Sequence, residues 1–162
     1  MLGAQNDFRG TSMLRTILGV LAGAAVMFAV IMAIEAAGHG FYPPPAGLDP
    51  MNPAHEAAFA QFVATMPVAG KAMLALAWTL GAFAGGFVAA KIARHPRGAA
   101  VLIALLVISG VVGMILRVPH PSWLAAAGLL LPIPAALLAA RWARPRIPSP
   151  VDTTRVGPGT SG

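Results

Sequence analysis

Residues 16–34 read TILGVLAGAAVMFAVIMAI, nineteen consecutive uncharged residues between Arg15 and Glu35. A helix rises about 1.5 Å per residue, so this stretch crosses a hydrocarbon core of about 30 Å. The apolar core of a secretory signal is shorter, about 7–15 residues, so the stretch is read as a retained span. Three more apolar runs follow: residues 72–90 between Lys71 and Lys91, residues 99–116 ending at Arg117, and residues 123–140 ending at Arg141. The expected fold is an all-α membrane protein, a bundle of four transmembrane helices spanning residues 13–144.

Composition agrees. The chain of 162 residues is 57% hydrophobic and only 10% charged, with mean hydropathy +0.76. A soluble domain carries about 25% charged residues. The net charge is +6 and the pI about 11.5, but the basic residues stand at span ends, as in a membrane protein, which argues against nucleic acid as a partner. With no cysteine, disulfides and thiolate metal sites are excluded.

The connections have distinct chemistry. Residues 1–12, MLGAQNDFRGTS, are polar and aperiodic and read as a cytoplasmic tail. Residues 38–52 form a proline- and glycine-rich loop with Pro43, Pro44 and Pro45 in a row, which should be stiff. Asn52 before Pro53 is a helix start, a capping side chain followed by proline at the first helical position. Phe59, Phe62, Val63 and Met66 recur at helical spacing over residues 53–66, giving one short amphipathic helix, expected at the membrane interface between the first two spans. Pro67 ends it. Pro132 and Pro134 fall mid-way along the fourth span and should kink it. Residues 145–162, rich in Pro, Ser, Thr and Gly, read as a disordered cytoplasmic tail.

The basic residues set an orientation. With both termini cytoplasmic, Arg9, Arg15, Lys91, Arg94, Arg97, Arg141, Arg144, Arg146 and Arg155 lie inside, and only Lys71 and Arg117 outside. The outer side then receives Glu35, His39, Tyr42, Asp49, His55, Glu56 and His120. Arg15 to Glu35 and Arg97 to Arg117 are each twenty residues, so Glu35, Lys71, Arg117 and His120 are expected near one plane.

Two packing faces are expected. Gly19 and Gly23 form a small-xxx-small pair in the first span, and Gly81 and Gly85 another in the second; Gly110 and Gly113 offer a further close contact in the third. Glu35 lies about 160° around the helix from Gly19, at ~100° per residue. With a glycine face and an opposed ionisable face, the first helix is expected at the centre of the bundle.

Glu35 and His39 are four residues apart and share a helix face. Carboxylate and imidazole are ligands for zinc or manganese, with His120 as a third candidate. The plainer alternative is an ion pair of Glu35 with Arg117 or Lys71 that locks helix ends. No nucleophile–base pair, phosphate loop or nucleotide fingerprint is present, so the expectation leans away from an enzyme and assigns no cofactor beyond this candidate divalent metal. Thr79 and Ser109 should bond back to carbonyls of their own helices.

The segments IEAAGHGFYPPPAGLDP, FVATMP, AWTLGAFAGGFVAA and VPHPSW together resemble a group of small four-span bacterial inner-membrane proteins without an assigned activity. The resemblance covers about residues 14–142 and implies a bacterial inner-membrane location. Two functions are carried forward. One is a non-enzymatic accessory or assembly subunit that binds partner subunits, or itself, through glycine-rich helix faces within the lipid bilayer. The other is a small transporter or an ion- or metal-linked protein using an outward-facing Glu35, His39 and His120 site.

Overall fold

The computed structural model describes residues 3–49, 52–118 and 120–143, with side chains from Met13 onward. Six α-helices account for most of them: α1 (Gly3–Phe41), α2 (Glu56–Thr65), α3 (Val68–Ile92), α4 (Pro96–Arg117), α5 (Ser122–Leu130) and α6 (Pro132–Trp142). Four stretches are long and apolar enough to cross a membrane: Met13–Phe41, Val68–Ile92, Pro96–Arg117 and Ser122–Trp142. No strand occurs among the described residues. The expected tail at residues 145–162, with Arg144, Arg146 and Arg155, lies outside the described residues. Helix α1 begins at Gly3, so the segment read as a tail is mostly helical.

Prolines set the helix boundaries. Pro67 stands between α2 and α3, and Pro96 and Pro132 occupy first-turn positions of α4 and α6. There the missing N–H costs nothing, because a first-turn N–H has no partner within the helix. In the fourth span, the N–H of Leu131 donates to the Ala127 carbonyl at 3.0 Å, but prolines at 132 and 134 have no N–H to continue the ladder. The expected kink is therefore a break into two helices, α5 and α6. Gly47 is needed where it stands: Leu48 N–H closes a turn onto the Pro45 carbonyl at 3.1 Å, and Gly47 has φ +77°. A side chain there would be strained.

The helices meet along small residues. On the α1–α3 seam, Gly19 lies against Ala89 and Ala93, Gly23 against Gly85 and Ala89, and Gly81 against Ile31 and the Met27 carbonyl. Two antiparallel i, i+4 rows thus lie backbone against backbone. In lipid, helices gain little from apolar burial itself, so this close approach supplies the attraction. A second seam is made of alanine: Ala90 of α3, Ala100 and Ala104 of α4, and Ala136 and Ala140 of α6 are all buried together. Gly86 abuts the Cα of Ala136, and Gly128 of α5 sits under the Trp78 ring.

These contacts correct the expected arrangement. The central helix is α3, which packs on α1, α4, α5 and α6. Helix α1 packs mainly on α3, with α4 as a lesser neighbour. Leu14, Ile17, Leu21, Phe28 and Met32 of α1 are exposed, so it has ample lipid-facing surface. Gly110 and Gly113 make no close contact; an added Cβ at either would meet nothing within 4 Å. Thr79 Oγ1 donates to the Ala75 carbonyl at 2.7 Å and Ser109 Oγ to the Leu105 carbonyl at 2.8 Å, each one turn back.

Candidate binding cavity

The last turns of α1 present Glu35, Gly38, His39 and Tyr42 on one face, at i, i+3, i+4 and i+7. Tyr42 N–H donates to the Gly38 carbonyl at 2.8 Å, which holds Tyr42 in helical register past the end of α1. Across from it the first turn of α3 carries Gly70; a Cβ there would come within 3.2 Å of the Tyr42 ring and 2.8 Å of Met66. The small residue lets the end of α1 close onto the start of α3.

Helix α2 caps this end of the molecule. The Asn52 side-chain oxygen accepts the Ala54 N–H at 3.0 Å and starts a 3-10 turn, Pro53–His55, that leads into α2. His55 Nδ1 accepts the Asp49 N–H at 3.1 Å and ties the proline-rich loop to that start. The far end is held by Lys71. Lys71 is 8% exposed, and its ammonium donates to the Ala64 carbonyl at 3.0 Å, satisfying an acceptor that the end of α2 leaves open. Thr65 Oγ1 covers the Gln61 and Phe62 carbonyls at 3.0 and 3.1 Å.

Between α2 and the spans lies a cavity of about 210 Å³. Glu35 and His39 of α1 stand in its wall. The lid is Phe59, Phe62, Val63 and Met66 of α2. Pro44 and Leu48 of the loop, Leu74 of α3 and Met114 of α4 complete it. A smaller adjoining pocket runs between Glu35, His39, Tyr42, Met66 and Met73. Glu35 is half-buried and His39 is exposed at the rim. The wall is thus apolar apart from one carboxylate and one imidazole on the same helix face.

Only part of the expected polar cluster comes together. Glu35, His39 and Tyr42 share the site, while Lys71, Arg117 and His120 do not line it. The ion pair expected between Glu35 and Arg117 or Lys71 is absent among the described residues: Lys71 is held by α2 and Arg117 is exposed. His120 is drawn aside by its own loop, where Nδ1–H donates to the Val118 carbonyl at 2.6 Å and Nε2 is buried without a hydrogen-bond partner. The candidate metal set of Glu35, His39 and His120 is therefore not assembled. Among the described residues no group of three or more His, Asp or Glu side chains is placed to hold a metal ion.

Sequence reasoning missed the cavity wall. Phe59, Phe62, Val63 and Met66 were expected to face lipid at the interface. In the structure their apolar face covers the cavity, with Val63 1% exposed. Their spacing is the same in either case and names no partner. Leu74 and Met114 carried no local signal at all. Compared with known protein families, curated proteins and solved structures, the chain matches none.

Proposed function

We propose that this chain is a multi-pass membrane protein that binds a small amphipathic molecule in the cavity beneath α2. The supporting observation is the pairing of about 210 Å³ of apolar space with the Glu35 and His39 side chains in one wall. A concave apolar pocket with a few convergent polar groups is the usual form of a ligand site. The basic residues concentrated at the other end, Lys91, Arg94, Arg97 and Arg141, put that end in the cytoplasm and the cavity on the far side. The resemblance to bacterial inner-membrane proteins supports that membrane as the location. Ligand binding, with or without transport, needs no bond-making residues.

The test uses a neutral probe with an apolar body and one hydroxyl, 3-phenylpropanol, and the full chain in maltoside detergent. The probe raises the melting temperature of the wild type by mass action. Leu74→Trp fills the cavity and abolishes the rise. An equal rise in both overturns the reading.

A second reading, an accessory subunit in a membrane complex, is favoured by one observation. Gly110 and Gly113 of α4 have open space beside them, within an exposed face that includes Leu102, Leu105, Leu106 and Leu116. The glycines of α1 and α3 are already engaged with each other, so a partner helix or a second copy would dock on α4 instead. Gly113→Leu then dissociates the complex while the isolated chain keeps its stability. A complex of unchanged mass refutes this reading.

A further inference from the structure

The cavity wall contains one formal charge. Glu35 is the only acidic side chain in it, and no lysine or arginine lines it. Lys71 is held by the Ala64 carbonyl, and Arg117 is exposed at the end of α4 and does not line the cavity. A carboxylate set in an apolar wall is costly unless something pairs with it, and among the described residues the wall offers it no permanent cation, only the His39 imidazole, which is exposed at the rim. The occupant that gains most from this wall is one that brings the positive charge itself.

We infer that the cavity takes an amine-headed amphiphile: a single ammonium group set against Glu35, and an apolar body set against Phe59, Phe62, Leu74 and Met114. This rests on the ligand-binding reading above and names the ligand's class. Size agrees. An apolar cavity of about 150 Å³ holds benzene, so about 210 Å³ holds one ring with a short chain. Phe59 and Phe62 form a tilted pair with ring centroids 6.4 Å apart, and aromatic faces attract a cation as well as an apolar body. Met66 and Met114 are adaptable wall atoms that accommodate irregular shapes. Other classes fit worse. An anion meets the Glu35 carboxylate with no countercharge in the wall, and a bare metal ion finds one carboxylate and one imidazole, short of a coordination shell. The ammonium could belong to a free amine or to a lipid with an ethanolamine headgroup, and these are separable.

The experiment measures binding of 3-phenylpropylammonium and of its neutral analogue 3-phenylpropanol to the full chain in maltoside micelles, by calorimetry. The wild type binds the amine at least about tenfold tighter than the alcohol. Glu35→Gln removes that preference, bringing the amine to the affinity of the alcohol, while Leu74→Trp removes binding of both, which separates the site from the micelle. Equal affinities in the wild type, or a preference that survives Glu35→Gln, overturn the amine inference while the cavity reading stands. Failure of both probes to bind overturns the cavity reading as well. If Leu74→Trp fails to fold, Met114→Trp serves as the filling variant. In bilayer discs, a lower apparent amine affinity with phosphatidylethanolamine than with phosphatidylglycerol identifies the lipid headgroup as the native source. Equal affinity in the two identifies a free amine.

Discussion

At Gly23 the absent side chain is a structural part. A Cβ built there would lie 2.6 Å from the Gly85 carbonyl oxygen and 2.7 Å from the Ala89 Cβ. Backbone on the facing helix cannot swing aside as a long side chain can, so Gly23→Leu forces α1 and α3 apart, and Gly85→Leu does so from the other side. The expected loss is about 1–3 kcal/mol, in the range for overpacking, read as a lower melting temperature or denaturant midpoint in detergent. Gly110→Leu is the matched control, because open space surrounds that position and stability should hold. Equal behaviour of the three variants would contradict the seam. The i, i+4 spacing of Gly19 and Gly23 and of Gly81 and Gly85, and the i, i+3 spacing of Gly110 and Gly113, were legible in the sequence, yet only the first four lie in a close helix–helix contact. Spacing reports that a close approach is affordable on a face. It carries no information about whether a neighbour is there. Gly86 and Gly128 show the converse. Neither belongs to an expected pair, but Gly86 abuts Ala136 and Gly128 the Trp78 ring.

At the scale of the element, α2 shows how a helix with little to hold it becomes a lid. It has ten residues, too few for a stable helix on its own in water. Its order comes from its neighbours: the Asn52 cap, the His55 tie to the loop, burial of Val63, and the Lys71 ammonium on the Ala64 carbonyl. Hydrogen bonds to a charged group contribute about 1.5–3 kcal/mol. Lys71→Met keeps much of the stem's bulk and removes that bond, so α2 should open more often while the spans stay packed. The expected result is faster amide exchange across residues 62–66 with little change over α3 and α4. Unchanged exchange in α2, or a uniform increase everywhere, would remove Lys71 from this role. The existence and start of α2 were legible, because Asn52-Pro53 is a local signal. What α2 covers was not, because Leu74 and Met114 reach the cavity only through the tertiary packing of α3 and α4.

For the whole molecule, length and hydropathy were enough to place four stretches able to span a membrane, and the structure has them. The order of importance among the helices was not legible. Glu35 drew attention to α1, but centrality depends on small residues all around a helix, and α3 has them on several sides: Gly81, Gly85 and Ala89 toward α1, and Gly86 and Ala90 toward α6 and its alanines. Two adjacent glycines lie about 100° apart on a helix, so Gly85 and Gly86 serve different neighbours. Orientation then rests on charge. Among the described residues Arg15, Lys91, Arg94, Arg97 and Arg141 stand at one end of the spans, against Lys71 and Arg117 at the other. Lys71 is occupied within the fold, so the exposed asymmetry is sharper than the raw count. Reporter fusions after Arg97 and Arg146 should read cytoplasmic, and fusions near Asp49 and Pro121 external. The fusion at Arg97 decides the matter. It lies in the first turn of α4, beside the short connection of residues 93–95 between two spans, where basic residues govern insertion strongly. An external reading there would invert the molecule and turn the Glu35 cavity toward the cytoplasm. Its ligand would then have to come from inside the cell, and the source of any amine it binds would have to be sought there.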